Sequence, residues 1–470
     1  MPGAELRGDS SDRRGRALNS ILGVASESVN AAVDVLLLPS LILAFFVAEL
    51  TPSYATIGLV PAIATGFWTL GRLPAYLLAG SRRRQLPWAF AAALVRVAAI
   101  AILAIATSRT DPAALSQSAR PLILTFFLCL IALSLAGGFG SLPGSGLLRS
   151  SIASESWGAF VRQRAIWSAL LCVVGALVAA RLLGTNALAF PSNYGRLFLV
   201  ATVCLIAVAV FTAAMREPWT LPPSPSPSPA SVSPRSLRQP LYDSRYRRFL
   251  LFRILLSATA AIDPFLFLYA VTRLGAPIAG LGGYVVTAVL GWVVFAPVWF
   301  WIERRAGARR VLQGAAVVRL FAPAIALAVP PLAATDLVRQ RLPDATFLTT
   351  IYGIVFFAIG ASLAAQSRAN HDYLVASTTR RVLPLYVGMT NAVLAVVAFA
   401  PVLGGILIQR FGYEVLFGTA AALGLGAVFA GGWLVDTPSL VQNRGTNERD
   451  FSTATRALVS GRAGSGSILP

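Results

Sequence analysis

Trp299-Phe300-Trp301-Ile302-Glu303-Arg304-Arg305-Ala306-Gly307-Ala308-Arg309-Arg310 crowds one acid and four arginines into a short polar island between two long apolar runs. Gly282 and Trp292 precede the island and Arg319 follows it. The same landmarks occur once earlier in the chain. Gly58, Trp68 and Arg96 stand 223 or 224 residues before Gly282, Trp292 and Arg319, and Pro74 matches Pro297 at 223. Between Trp68 and Arg96 lies a second island, Arg82-Arg83-Arg84. Duplication at half the chain length, inside an apolar sequence, implies a two-fold membrane machine with a shared central site.

Composition agrees with a membrane setting. The 470 residues are 56% hydrophobic and only 12% charged, and mean hydropathy is +0.71. A soluble chain of this length carries roughly twice that charge. A helix needs about 20 mostly apolar residues to cross the hydrocarbon core, since only a helix satisfies its own backbone there. Runs of this kind predict about twelve spans, near 26–48, 54–80, 87–107, 121–141, 163–184 and 196–215, then 249–271, 279–302, 311–332, 346–366, 383–408 and 414–435. The expected fold class is an all-α integral membrane protein of two pseudo-symmetric six-helix bundles.

The net charge of +20 invites a nucleic-acid reading. Its distribution argues otherwise. Every basic residue is arginine, and with alternating spans and an inside N-terminus most arginines fall on one side, as the positive-inside rule requires. The charge sets topology, and no nucleic-acid partner is expected. Cys129, Cys172 and Cys204 each sit alone in an apolar run, which gives neither a disulfide framework nor a metal-ligand spacing. No nucleophile–base or phosphate-loop motif appears, so neither an enzymatic role nor a cofactor is expected.

Five segments follow. Residues 1–19 form a cytoplasmic leader and 20–215 the first bundle. The Pro/Ser-rich tract within 216–248 reads as a solvated cytoplasmic linker. The second bundle spans 249–435, and 436–470 reads as a disordered tail. Both termini are then cytoplasmic, with the chain in a bacterial inner membrane.

The two islands and the six-plus-six pattern resemble the major facilitator superfamily over residues from about 20 to 436. In that family a glycine, an acid, an arginine, a second glycine and paired basic residues join the second and third helices of each half. Here Glu303, Arg304, Gly307, Arg309 and Arg310 match, with Glu for Asp and one extra residue. Trp299 stands where the first glycine is expected, and Gly80-Ser81-Arg82-Arg83-Arg84 is a degenerate copy without an acid. The resemblance implies alternating access by two bundles, with these loops as cytoplasmic gates. The other reading of the same arginines is topology anchoring. The fifth helix lacks the Gly/Pro-rich stretch of the family's proton-coupled drug exporters.

Ionisable groups inside spans are costly and mark functional candidates. Asn30 and Asp34 share a helix face. Asp263 lies mid-span before Pro264, where a kink is expected, and the aligned first half shows no acid at that point. Asp263 is thus the leading candidate for a coupling or substrate-binding residue, or else the partner of a buried arginine. Asp34 is expected nearer the cytoplasmic end. Arg96 and Arg319, matched by the repeat, either pair with carboxylates or bind an anionic substrate. Tyr269 and Asn391 offer hydrogen bonds to a solute or between helices. Trp299 and Trp301 read as interface markers. These residues point to a monomeric secondary transporter surrounded by lipid, moving a small-molecule substrate with protons, export favoured. A non-transporting membrane sensor or assembly factor of the same fold, or a lipid flippase, is the alternative.

Overall fold

The computed structural model describes residues 3–79, 84–185, 188–217, 240–333, 345–379 and 382–436. Arg82 and Arg83, most of the linker and the tail beyond 436 lie outside the described residues. Eleven helices are long and apolar enough to cross a membrane, and the one at Ile278–Val329 comprises two joined at a bend. That makes twelve among the described residues. In chain order they are α1 (Gly15–Ala48), α2 (Tyr54–Ala75), α3 (Leu86–Arg109), α4 (Ser118–Ser151), α5 (Ser154–Leu182), α6 (Ser192–Ala214) and α7 (Ser244–Leu274). Then come α8 (281–306), α9 (308–333), α10 (Thr350–Ser377), α11 (Leu383–Phe411) and α12 (Tyr413–Gly432).

Several boundaries differ from expectation. The helix that enters α1 already begins at Gly3, so the leader from there on is helical and continuous with the first span. The fourth helix continues past Pro143 to Ser151, and the tenth continues through His371 to Ser377. Helices outrun the apolar stretch because a backbone whose hydrogen bonds are closed internally can carry polar residues into water. The bend between α8 and α9 falls at Gly307, whose φ of 77° a side chain would resist.

Packing follows the duplication. Helix α2 packs on α4 and α8 on α10, while α2 meets α11 and α5 meets α8 across the halves. Lipid gives helices little hydrophobic incentive to associate, so small residues that let backbones approach do the work. The matched glycines are such residues. A Cβ at Gly58 would overlap the Pro401 carbonyl of α11, and one at Gly282 would overlap Ala180 of α5. Gly405 of α11 is pressed in the same way against Tyr54 of α2.

All these crossings lie at the end of the molecule away from the arginine islands. There a single apolar core joins both halves, from Val33 and Phe46 through Phe267 to Phe417. The Tyr413 and Tyr54 hydroxyls meet at 3.4 Å. At the arginine-rich end the core divides. One cluster around Phe249, Trp299 and Tyr373 belongs to the second half, and a smaller one around Leu147, Ile152 and Phe160 belongs to the first. Among the described residues, the ion pairs of Arg164 with Glu27, Arg368 with Glu303 and Asp372, and Arg309 with Asp436 each stay within one half. The halves are fused at one end and separate at the other.

Candidate functional site

Both first helices of the halves break at mid-depth. Helix α1 is interrupted at Leu37–Leu38, and a π-helical turn, Pro39–Leu43, follows in which the Leu43 N–H donates to the Leu38 carbonyl at 3.1 Å. Helix α7 tightens to a 3₁₀ turn at Thr259–Ile262 and restarts at Asp263-Pro264. Proline removes an N–H and crowds the preceding turn, so each break falls beside one.

The second-half break is held by Arg319. Its guanidinium donates to the Thr259 hydroxyl at 3.0 Å, to the Thr259 carbonyl at 3.2 Å and to the Asp263 carboxylate. Arg319 is 3% exposed and Asp263 13%. The first half repeats this arrangement with one bond rerouted. Arg96 of α3 donates to the Asn30 side-chain carbonyl at 2.8 Å, and the Asn30 amide reaches the Asp34 carboxylate at 3.4 Å. Asn30–Asp34 and Thr259–Asp263 are both i, i+4 pairs facing the matched arginine of their half.

One expectation is thereby corrected. The first half does carry an acid equivalent to Asp263, namely Asp34. A one-turn slip of its proline hides the match, because Pro264 follows Asp263 directly whereas Pro39 lies five residues beyond Asp34. Both carboxylates line one cavity between the halves. That cavity, of about 270 Å³, is walled by α1, α5, α7, α8 and α10 through apolar groups that include Val35, Leu38, Trp292 and Phe356. Cys172 of α5 lines it too.

A second cavity of about 670 Å³ lies inside the first half. Glu27, Asn30, Arg96, Ser134, Ser141 and Arg164 give it a polar lining, and Asp34 belongs to its wall as well. Asp34 and Leu38 line both cavities, so Asp34 is the charged group where the two spaces meet. Trp68 lines the cavity inside the first half, and its repeat mate Trp292 lines the one between the halves.

The remaining candidates separate. Arg319 lines neither cavity and is spent on the α7 break. Tyr269 is buried in an aromatic cluster with Tyr352, Tyr413 and Phe417 at the fused end. Asn391 is half-buried on α11 and lines neither cavity. In the second island Glu303 is buried and paired with Arg368 at 3.2 Å, while Arg304 stands near the Phe300 ring and Arg305 over Trp301 at 4.2 Å. Arg309 donates to the Gly432 carbonyl and to Asp436 at the end of α12. Arg310 and Arg84 are exposed. Here the charges of the second island brace its own half.

Trp299 is not an interface marker. It is 8% exposed, its indole N–H donates to the Ala361 carbonyl of α10 at 2.8 Å, and Gly314 of α9 lies against its ring. Gly314 across the bend leaves the space that the ring occupies.

Solved structures resemble this chain along nearly its whole length. A nucleoside transporter matches with a TM-score of 0.62 at 13% identity, over 90% of this chain and 100% of that one. A D-xylose-proton symporter gives 0.60 at 12%, covering 90% and 97%. A bacterial homologue of the iron transporter ferroportin, in an inward-facing state, gives 0.61 at 12%, covering 89% and 98%. No family model matches the sequence, and no curated protein matches it either. The chain shares the fold of these solved transporters.

Proposed function

We propose that this protein is a secondary transporter that moves a small solute by alternating access, coupled to protons through Asp34. The observation that carries this reading is the placement of Asp34 and Asp263 on one cavity between the two halves, beneath a fused end and a divided one. The positive-inside rule puts the arginine-rich end in the cytoplasm, so the fused end is the outer seal. Rocking the halves about the cavity would exchange the two seals. Solved transporters of this fold, among them the nucleoside transporter and the xylose-proton symporter, support the reading.

The two carboxylates divide the work. Asp263 is neutralised by Arg319 and holds α7 in its broken form. Asp34 has one long bond to Asn30, with Arg96 engaged on Asn30 rather than on the acid, and Glu27 and Arg164 further along the polar cavity. A carboxylate held this loosely, in a wall shared by a polar and an apolar space, can take up and release a proton. The polar cavity supplies the route from the cytoplasmic side. For a lipophilic solute, which crosses bilayers inward unaided, the useful direction is export.

Proteoliposomes carrying a pH gradient and an internal pH dye test this directly. Solutes from a small-molecule panel should release the gradient through the wild type, and Asp34→Asn should reduce that release at least about tenfold, the size expected when a proton-transfer group is removed. Undiminished proton flux in Asp34→Asn would remove Asp34 from the coupling. Gly144 lines the polar cavity, and a Cβ there meets nothing within 4 Å. Gly144→Leu should therefore fold normally and slow proton release while leaving solute binding intact.

A further inference from the structure

We propose that the cavity between the halves is a binding site for a small lipophilic organic cation, with Asp34 as its counter-charge. This rests on the transporter reading for its purpose but on the cavity's chemistry for its argument. The charge count comes first. Among the described residues, Asp34 and Asp263 are the charged groups that line the cavity, and no guanidinium does. Arg319 cancels Asp263 from behind. Arg96 gives its bond to Asn30 and lines only the polar cavity. One carboxylate that no arginine bonds directly therefore faces the apolar space.

The rest of the lining selects what can meet that charge. Val35, Leu38, Val289 and Ile359 offer no hydrogen bonds from their side chains, and beside the two acids only Ser40, Cys172 and the Trp292 indole are polar, so a sugar or nucleoside would leave most of its hydroxyls unmatched there. An anion would face Asp34 with no cation to receive it. A cation with an apolar body satisfies both demands. Trp292 and Phe356 add aromatic rings that favour positive charge. The volume of about 270 Å³ suits an occupant with one ring and a compact cationic head.

Cys172 provides a reporter inside the site. With Cys129 and Cys204 changed to serine, Cys172 is the sole remaining thiol. Purified protein would be incubated with benzyltrimethylammonium, the neutral N-benzylacetamide or the anion phenylacetate, then challenged with N-ethylmaleimide, with thermal shift measured in parallel. The cation should protect Cys172 and raise the melting temperature at concentrations at least about tenfold below the other two, the factor that 1.4 kcal/mol gives. Asp34→Asn should shrink that preference to less than about threefold, while the neutral compound's own affinity stays within about twofold. Equal effects of the three probes, or an unchanged preference in Asp34→Asn, would overturn the assignment. Binding of the cation without any solute-driven proton flux would instead overturn the transport reading alone. Coupled flux of another solute without cation preference would overturn only the present assignment.

Discussion

Arg319→Ala should destabilise the protein by roughly 3–5 kcal/mol, the range for removing one partner of a buried ion pair. The reason is the number of groups it strands. Asp263 would lose its partner in a site where it is 13% exposed, and the Thr259 carbonyl at the α7 break would lose its donor. Thermal unfolding in detergent should show the loss as a large fall in melting temperature. The double variant Asp263→Leu, Arg319→Leu removes both charges together and should recover most of it, since a buried pair can often be replaced by apolar groups without penalty. A single Arg319→Ala variant as stable as the wild type would show that the pair does not hold the break. The matched change Arg96→Ala should cost clearly less, because Arg96 meets a neutral amide rather than a carboxylate.

Gly58→Val should open the fused end. A side chain there meets the Pro401 backbone, which cannot give way as a side chain could. Overpacking costs about 1–3 kcal/mol, and a bias of that size shifts a two-state equilibrium about 5–150-fold. The repeat predicts the same result for Gly282→Val against Ala180 of α5. Gly283, next in sequence, has nothing within 4 Å of an added Cβ, so Gly283→Ala serves as the control. Spin labels at Leu188 and Ile278, both exposed near the fused end, should report longer separations in the two valine variants and unchanged ones in the control. Unaltered distances in Gly58→Val would mean that these crossings are not the seal.

Much of the architecture was legible in the chain because lipid leaves few options. Backbone groups must be satisfied within each span, so apolar runs and arginine islands between them show the number and order of helices. The matched Gly58 and Gly282 could also be found in the sequence, although their task could not. Each presses against the half it does not belong to, and a repeat reveals equivalence without revealing the partner. The site was only half legible. Asp263 stood out because Pro264 adjoins it, whereas Asp34 looked peripheral because its proline sits a turn later. The signal for their equivalence was the i, i+4 spacing of Asn30–Asp34 and Thr259–Asp263 opposite Arg96 and Arg319.

The island at Glu303–Arg310 shows the same division. Its charges mark an end of the membrane by composition alone. Whether Glu303 reaches across the halves or stays beside Arg368 depends on how far apart the halves stand, and no local pattern encodes that distance. The sequence by itself determined the helices, their pairing by repeat and the side on which charge collects, because those follow from hydropathy and spacing. Only the tertiary structure decided which acid is neutralised. Arg319 lies beside Asp263 while Arg96 stops at Asn30, a difference of one bond that leaves Asp34 facing the space between the halves.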